Sequence, residues 1–344
     1  MDNSVSTADD VTTSIKNILE SIEREREREI IARRFGLYDR RETLEQIGEL
    51  LGITRERVRQ LEKAILAKLE SMAENNLPDV SKFEKIIIRH LYDLGHVARI
   101  SDIAMQITNN NAERSRAHIA FIATLAPRLA IVEDSDQYYP SVGIKDDHDS
   151  TAIKKNVNEI VAAIKKNNQP ITIEALHDQL NYEHPDRVQA LASISKNLAN
   201  LNGNWGLTKW PTVNPKNIRD KIYVILQSST KPMHFSDIAS SIKQSDFKRR
   251  NVTTQAIHNE LIKDNRFVLV GRGIYALDTW GFKKGTVADI ISDILRNEGG
   301  ALHRDEIIKR VLKHRQVKQT TILLNLQSKD KFKRVGKATY ALAD

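Results

Sequence analysis

The sequence predicts a mainly α protein, a helix-turn-helix near the N-terminus followed by four tandem winged-helix modules with small β-hairpin wings. Three observations predict it. Between Thr43 and Leu69, two apolar runs at helical spacing flank a glycine and a second capping threonine. Beyond Asp79, three helical patterns closed by a hairpin signal recur at a spacing of about 65–70 residues. The chain has 344 residues, 40% of them hydrophobic and 28% charged, enough to bury several small cores.

In chain order, residues 1–12 are polar and aperiodic and read as a disordered tail. Residues 13–76 form the first domain. Ile15, Ile18, Leu19 and Ile22 lie at helical spacing within Val11–Ile22. The Glu23–Glu29 alternation of Glu and Arg places opposite charges three apart on an exposed helix, a pattern that usually marks a solvated face. Thr43 caps the next helix, with Gln46 completing a capping box. Leu44, Ile47, Leu50 and Leu51 share its apolar face, and Gly52 permits a left-handed turn. Thr54 caps a further helix that buries Val58, Leu61, Ile65 and Leu69. Arg55, Glu56, Arg59 and Gln60 are left near its outer N-terminal end. Arg can fork onto guanine, Glu accept from cytosine and Gln pair with adenine, so these four are the candidate base-readers. Thr43, Thr54 and Arg57, at the helix starts, are candidate phosphate contacts. Ser71–Asp79 ends the helix, with Pro78 as the stop.

The modules follow at 80–145, 150–212, 216–282 and 284–344. Each opens with an amphipathic helix: Phe83–Leu94, Val157–Lys166, Ile218–Ser228 and Val287–Arg296. A short apolar entry and second helix begin at Ala98, Ile171, Met233 and Leu302. Third helices fall near Ala112–Ala126, Asp186–Leu198, Thr253–Asp264 and Lys318–Ser328. Hairpins are expected at Leu129–Tyr139, Phe267–Leu277 and Phe332–Leu342, and the second module is shorter, with Asn202-Gly203 as its turn. Lys145–Ser150, Val213–Lys216 and Gly281–Gly285 read as linkers.

Arg34-Phe-Gly-Leu37, Thr43-Leu-x-x-Ile-Gly48 and Thr54-Arg-Glu-Arg-Val-Arg-Gln60 follow one another at set distances, and over Glu23–Leu69 the chain resembles region 4 of bacterial primary sigma factors. That family reads the promoter −35 element. The resemblance implies that Arg55, Glu56, Arg59 and Gln60 read bases, since they match the family's readers one by one. Farther along the helix, where the family is usually more basic, this chain has Ala64, Ala67 and Glu70. In the third module, Lys231–Ile238, Arg266-Phe-Val268 and Gly273–Trp280 resemble the HARE winged-helix family, which includes the folded domain of the RNA polymerase delta subunit. Trp205–Trp210 and Tyr340-Ala-Leu342 echo it in the second and fourth modules. That likeness implies nucleic-acid or polymerase association.

Lys and Arg total 53 and Asp and Glu 45, and residues 216–344 hold 25 of the former against 13 of the latter. The basic excess thus belongs to the last third, and it favours a polyanion as partner. Lys248, Arg249, Arg250 and Arg272 in the third module, and Lys318, Lys333, Arg334 and Lys337 in the fourth, are candidate phosphate contacts on third helices and wings. Lys313, His314 and Arg315 also approach the fourth module's third helix. Tyr275, Tyr340, Trp205, Trp210 and Trp280 hold equivalent hairpin positions and read as core rather than base-stacking groups. His234 and His303 read as packing or capping residues, with no second ligand at zinc spacing. Phosphate-cradling, nucleophile-elbow and metalloprotease motifs are absent from the sequence, so no enzyme, cofactor, metal or small-molecule substrate is expected.

The absence of cysteine and of a long apolar run points to a cytoplasmic, nucleoid-associated protein without a membrane span. The expected function is a bacterial DNA-binding transcription protein, its partners promoter-like double-stranded DNA and RNA polymerase. A complete sigma factor is not expected, because no long aromatic-rich helical domain precedes Glu23. The alternatives are a protein-interaction scaffold on the polymerase with weak DNA binding, and a DNA-recognition component of a restriction or defence system.

Overall fold

The computed structural model describes residues 8–73, 77–145, 149–247 and 251–343. It is mostly helical, and its internal packing divides it into two compact units, Met1–Lys209 and Trp210–Asp344.

The first unit begins with four helices: α1 (Ala8–Glu20), α2 (Glu25–Phe35), α3 (Leu44–Leu51) and α4 (Arg55–Ala73). Ala8–Thr12, expected in a disordered tail, are the opening turns of α1. Val11 is buried with Ile15, Ile18 and Leu19, and Asp79 accepts hydrogen bonds from Ser14 Oγ (2.8 Å) and Asn17 Nδ2 (3.0 Å). Those anchors lie far along the chain, which is why local polarity did not reveal them. Gly36 ends α2 in the left-handed region at φ 70°, and a Cβ there would stand 2.8 Å from the Arg41 nitrogen. The α3–α4 corner needs two glycines. Gly52 turns at φ 64°, while Gly48, inside α3, lets the Ile53 carbonyl approach to where a Cβ would be only 2.7 Å away. Ile30, Ile47 and Val58 form the small core under this corner, joined by Leu44, Leu51, Ile53 and Leu61. Leu50, expected on that face, is instead 54% exposed. Eight residues make barely two turns, and the buried stripe narrows to Leu44, Ile47 and Leu51.

After Ala73 the order helix, strand, helix, helix, strand, strand occurs four times among the described residues. The first repeat is α5 (Pro78–Asp93), β1 (Val97–Arg99), α6 (Ile100–Thr108), α7 (Glu113–Leu125), β2 (Leu129–Val132) and β3 (Ser141–Ile144). The second is α8 (Ser150–Asn167), β4 (Ile171–Thr172), α9 (Ile173–Leu180), α10 (Pro185–Ser193), β5 (Leu198–Leu201) and β6 (Asn204–Leu207). The second unit holds the third: α11 (Ile218–Ser229), β7 (Met233–His234), α12 (Phe235–Gln244), α13 (Thr254–Lys263), β8 (Phe267–Gly271) and β9 (Ile274–Leu277). It also holds the fourth: α14 (Val287–Glu298), β10 (Leu302–His303), α15 (Arg304–His314), α16 (Gln319–Leu326), β11 (Phe332–Gly336) and β12 (Thr339–Leu342). In every repeat the first strand pairs antiparallel with the last, so each sheet is three-stranded with the last strand central.

Three expectations shift. Pro78 opens α5 rather than stopping the preceding helix; its missing N–H costs nothing in a helix's first turn. The apolar entries are strands, with Ile171 opposite Trp205, Met233 opposite Tyr275 and Leu302 opposite Tyr340. Those pairings place the three aromatic residues at one structural position, and Trp205 and Tyr275 there are buried. The first hairpin's return strand is Ser141–Ile144, not the stretch ending at Tyr139, because Tyr138 and Tyr139 turn toward the second repeat. The Tyr139 N–H donates to the Ile194 carbonyl (2.9 Å), and the Tyr138 hydroxyl donates to Asn158 Oδ1 (2.8 Å).

The first repeat does not have a core of its own. Val11, Ile15, Ile31 and Leu37 belong to the same buried cluster as Ile65, Leu69, Phe83, Ile119, Phe121 and Val142. Phe35 meets Phe121 edge-on with ring centroids 4.9 Å apart. His118, 3% exposed on α7, hydrogen-bonds through Nε2 to the Leu37 carbonyl at 2.7 Å. It therefore donates there as a neutral ring, and burial lowers its pKa below that of an ordinary histidine despite that bond, with Arg114 adding to the fall.

Two outcomes test this shared core. Phe121→Ala should cost about 3–5 kcal/mol and should strip amide-exchange protection from residues 24–70 as well as from α7, which hydrogen-exchange mass spectrometry reads directly. Because the folded His118 resists protonation, its contribution is complete above pH 6.5 and is lost as pH falls from there toward the depressed folded value. Urea midpoints should drop with acidification over that window, and His118→Gln should flatten the dependence.

Candidate nucleic-acid interface

The N-terminal end of α4 stands clear of the rest of its unit. Arg55, Glu56, Arg57, Arg59 and Gln60 are all exposed, whereas Val58, Ile65 and Leu69 hold the opposite face down. The Thr54 hydroxyl accepts from the Arg57 N–H (3.2 Å) and so caps the helix. Thr43 does the same for α3, accepting from the Gln46 N–H (3.3 Å), while Gln46 Oε1 accepts from the Thr43 N–H (2.9 Å). Each helix N-terminus of the corner is thus capped by a threonine hydroxyl.

The side chains there are pre-arranged. Arg59 forks onto Glu56, with Nε to Oε2 at 2.8 Å and Nη2 to Oε1 at 2.7 Å. Gln60 Nε2 donates to Glu56 Oε1, and Arg57 Nη1 donates to Gln60 Oε1, both at 3.4 Å. The Arg59 hydrogen bond holds the Glu56 carboxyl below its ordinary range, and the same bond raises Arg59. More than half of each side chain is open to solvent, at 55% and 58%, so the pair is screened and exchangeable.

The charged residues of α2 do more than decorate a solvated face. Arg26 donates to the Leu51 carbonyl (2.5 Å), Arg33 binds Glu42 (2.8 Å) and Arg34 binds Glu62 (3.0 Å). These contacts pin α2 to α3 and α4 and hold the corner at a fixed angle. Lys63 is also exposed, one turn beyond Arg59 on α4.

The basic residues of the last two repeats are not gathered in the same way. Lys248, Arg249 and Arg250 lie outside the described residues. Arg272 is exposed at the turn between β8 and β9. Lys318 is the residue before α16, Lys333 and Arg334 lie on β11 and Lys337 in the turn after it, all exposed. Arg315 departs from the sequence expectation. It is 8% exposed, its Nη1 donates to the Leu269 carbonyl, and the next residue's N–H donates to the Val270 carbonyl at 2.9 Å. The segment between α15 and α16 of the fourth repeat is thereby fastened to the edge of the third hairpin. His234 and His303 cap α12 and α15 by accepting from Ser236 and Asp305 N–H groups, at 3.3 Å each. Among the described residues no group of His, Cys, Asp and Glu could hold a metal ion, and no helix is long and apolar enough to cross a membrane.

The third helices differ in what covers them. α7 is sealed by α1, α2 and α4, and α10 lies against β1, where the Arg99 guanidinium donates to the Ser193 carbonyl. In the second unit α13 and α16 pack only on their own repeats among the closer contacts, leaving Gln255, Asn259, Thr320 and Leu324 exposed.

Residues 24–70 match the family described as Sigma-70, region 4. The RNA polymerase sigma factor sigB of Arabidopsis thaliana is 48% identical over 52 residues, 15% of this chain and 9% of that protein. The sigma factor RpoD of Helicobacter pylori is 45% identical over 65 residues, 18% of this chain and 10% of that protein. SigA of Microcystis aeruginosa is 41% identical over 64 residues, covering 18% and 15%. The chain therefore spans no more than about a sixth of these relatives' length. α2, α3 and α4 are a sigma-70 region 4 domain, and Arg55–Gln60 fall inside it.

Thr54→Ala should remove one cap and cost about 1 kcal/mol. Urea denaturation of the full chain reads that loss, and exchange of the Arg57 amide should accelerate.

Proposed function

We propose that this chain is a bacterial DNA-binding transcription protein whose region 4 domain reads a promoter-like sequence, with RNA polymerase as its protein partner. The observation that carries the reading is the open end of α4. Arg55, Glu56, Arg59 and Gln60 are exposed, the last three are joined by hydrogen bonds, and all lie within the segment that matches sigma-70 region 4. In this reading those four meet base edges in the major groove, and Thr43, Thr54 and Arg57 hold phosphates. The match stops at Leu69–Glu70, and the repeated elements beyond Pro78 follow another plan, which supports an accessory transcription protein over a complete sigma factor.

The four repeats act as winged-helix modules at 80–145, 150–212, 216–282 and 284–344, the third of HARE type. Support comes from the element order and from the common aromatic position facing the first strand in the last three repeats. The first two serve as a mount for region 4, because their third helices are covered. The last two supply the accessory phosphate contacts, through Arg272, Lys318, Lys333, Arg334 and Lys337, and hold the protein near the nucleoid. No catalytic role is assigned to any residue. A scaffold role on the polymerase is the second reading, favoured by those same covered helices.

Arg59→Ala should lower affinity for a preferred duplex roughly 5- to 100-fold and relax selectivity at one base position. Mobility shifts on a selected site and its single-base variants check this, and unchanged binding and selectivity would remove the base-reading assignment. Wild-type affinity should also fall steeply with salt, whereas a protein-docking scaffold would show a shallow slope.

A further inference from the structure

In the second unit a cleft of about 240 Å³ opens beside the third hairpin, lined by Ile262, Asp264, Leu269, Lys284 and Arg315 among others. Arg315 is the anomaly. It is 8% exposed, and its one hydrogen bond among the described residues goes from Nη1 to the Leu269 carbonyl. Its Nε is buried with no hydrogen-bond partner. Burial pulls the guanidinium below its usual pKa, and Asp289 offsets this only from a distance, its carboxylate being held by Thr286 (2.7 Å) and Lys331 (3.3 Å). A desolvated guanidinium served by a single carbonyl is short of one negative charge.

The other groups around the cleft sharpen the picture. Asp264 contributes the cleft's single carboxylate among the lining residues, and both its oxygens are occupied by Arg266, at 2.8 and 3.1 Å. Lys284 stands at the rim with its side chain 56% exposed, held loosely by Asp278 (3.7 Å) and the Asn265 carbonyl (3.3 Å). Ile262 and Leu269, the apolar lips, are 65% and 46% exposed. Two cations within apolar lips describe a binding site for an anion attached to something apolar. A duplex offers phosphates on a broad rigid backbone and suits cations that reach outward. A carboxylate on a slender side chain can enter a cleft, lie flat against a guanidinium and bring an apolar neighbour to the lips.

We infer that this cleft docks an acidic segment of a partner protein, with a Glu or Asp carboxylate directed at Arg315 and Lys284 and an adjacent apolar residue on Ile262 and Leu269. This site is separate from the region 4 surface and stands whether or not α4 reads DNA.

The test uses the full chain, nitrogen-15 labelled, titrated with acetyl-Leu-Glu-Leu-amide, its Gln counterpart, inorganic phosphate and a random-sequence duplex. The arginine Nε–H region is followed, and the Arg315 signal is identified by its loss in Arg315→Lys. The Glu peptide should move that signal with a dissociation constant on the order of 1 mM, and the Gln peptide should not. Lys284→Gln, on the exposed rim where folding is not at stake, should weaken the Glu peptide roughly two- to fivefold. Equal response to the Glu and Gln peptides, no response to either, or no effect of Lys284→Gln would overturn the inference. A response to phosphate or duplex without one to the Glu peptide would also overturn it, assigning the cleft to nucleic acid.

Discussion

The packing of α7 into the helices that carry α4 is the constraint on which the N-terminal unit depends. A sigma-type helix-turn-helix of this size buries little on its own: Ile30, Ile47 and Val58 are its whole private core. Small domains recover too small a fraction of their surface to be stable unaided. Here the deficit is met by Ile31, Leu37, Ile65 and Leu69, which join Phe83, Ile119 and Phe121 of the following repeat in one cluster. α1 closes that cluster from the other side through Val11, Ile15 and Ile18. The exposed end of α4 is therefore presented by a body larger than the helix-turn-helix itself. Its orientation is fixed by apolar contact, which salt does not screen.

The same economy recurs between repeats. Tyr139 hydrogen-bonds to Ile194, the Arg99 guanidinium donates to the Ser193 carbonyl, and Arg315 and Gln316 fasten onto β8. A hairpin edge presents unpaired carbonyls, and an edge left open invites pairing with other chains. In the third repeat those carbonyls, at Leu269 and Val270, receive donors from the fourth, and Val268, Val270 and Ala276 are covered with Trp280 and Phe282. The matching residues on β11 are Lys333, Arg334 and Val335, all exposed. Charged side chains replace a docked neighbour there, the usual way an uncovered edge is kept from aggregating.

Local features were legible in the sequence and non-local ones were not. The capping box at Thr43, the turn at Gly52, the cap at Thr54 and the exposure of Arg55, Glu56, Arg59 and Gln60 follow from residues within a few positions of one another. So did the recurrence of three helices and a hairpin. By contrast, α1 is anchored through Ser14 and Asn17 to Asp79, and His118 is hydrogen-bonded to Leu37, partners far along the chain. Arg315 shows the limit most plainly. A basic residue just before a third helix reads as a phosphate contact, yet this one is buried under a strand of the preceding repeat. Gly48 hid for a different reason: a glycine inside a helical pattern looks like a weakness until the carbonyl that needs its space is seen.

The pairing of Arg59 with Glu56 bears on how the surface can discriminate. Held by two short hydrogen bonds, the guanidinium is fixed in plane and the carboxylate is kept ionised. In the proposed reading, meeting a guanine edge exchanges one planar partner of this fork for another. In that same reading, the carboxylate next to it opposes phosphate and can accept from a cytosine amino group. Because both partners stay open to solvent, giving up the pair in exchange for a base leaves no buried charge behind. At Arg315 the balance runs the other way. There the charge is already out of water with only a carbonyl for company, so the gain from a partner is large, but only a group narrow enough to enter the cleft can supply it. The two arginines thus differ in exposure, one open to solvent and one buried, in a way that residue type alone does not reveal.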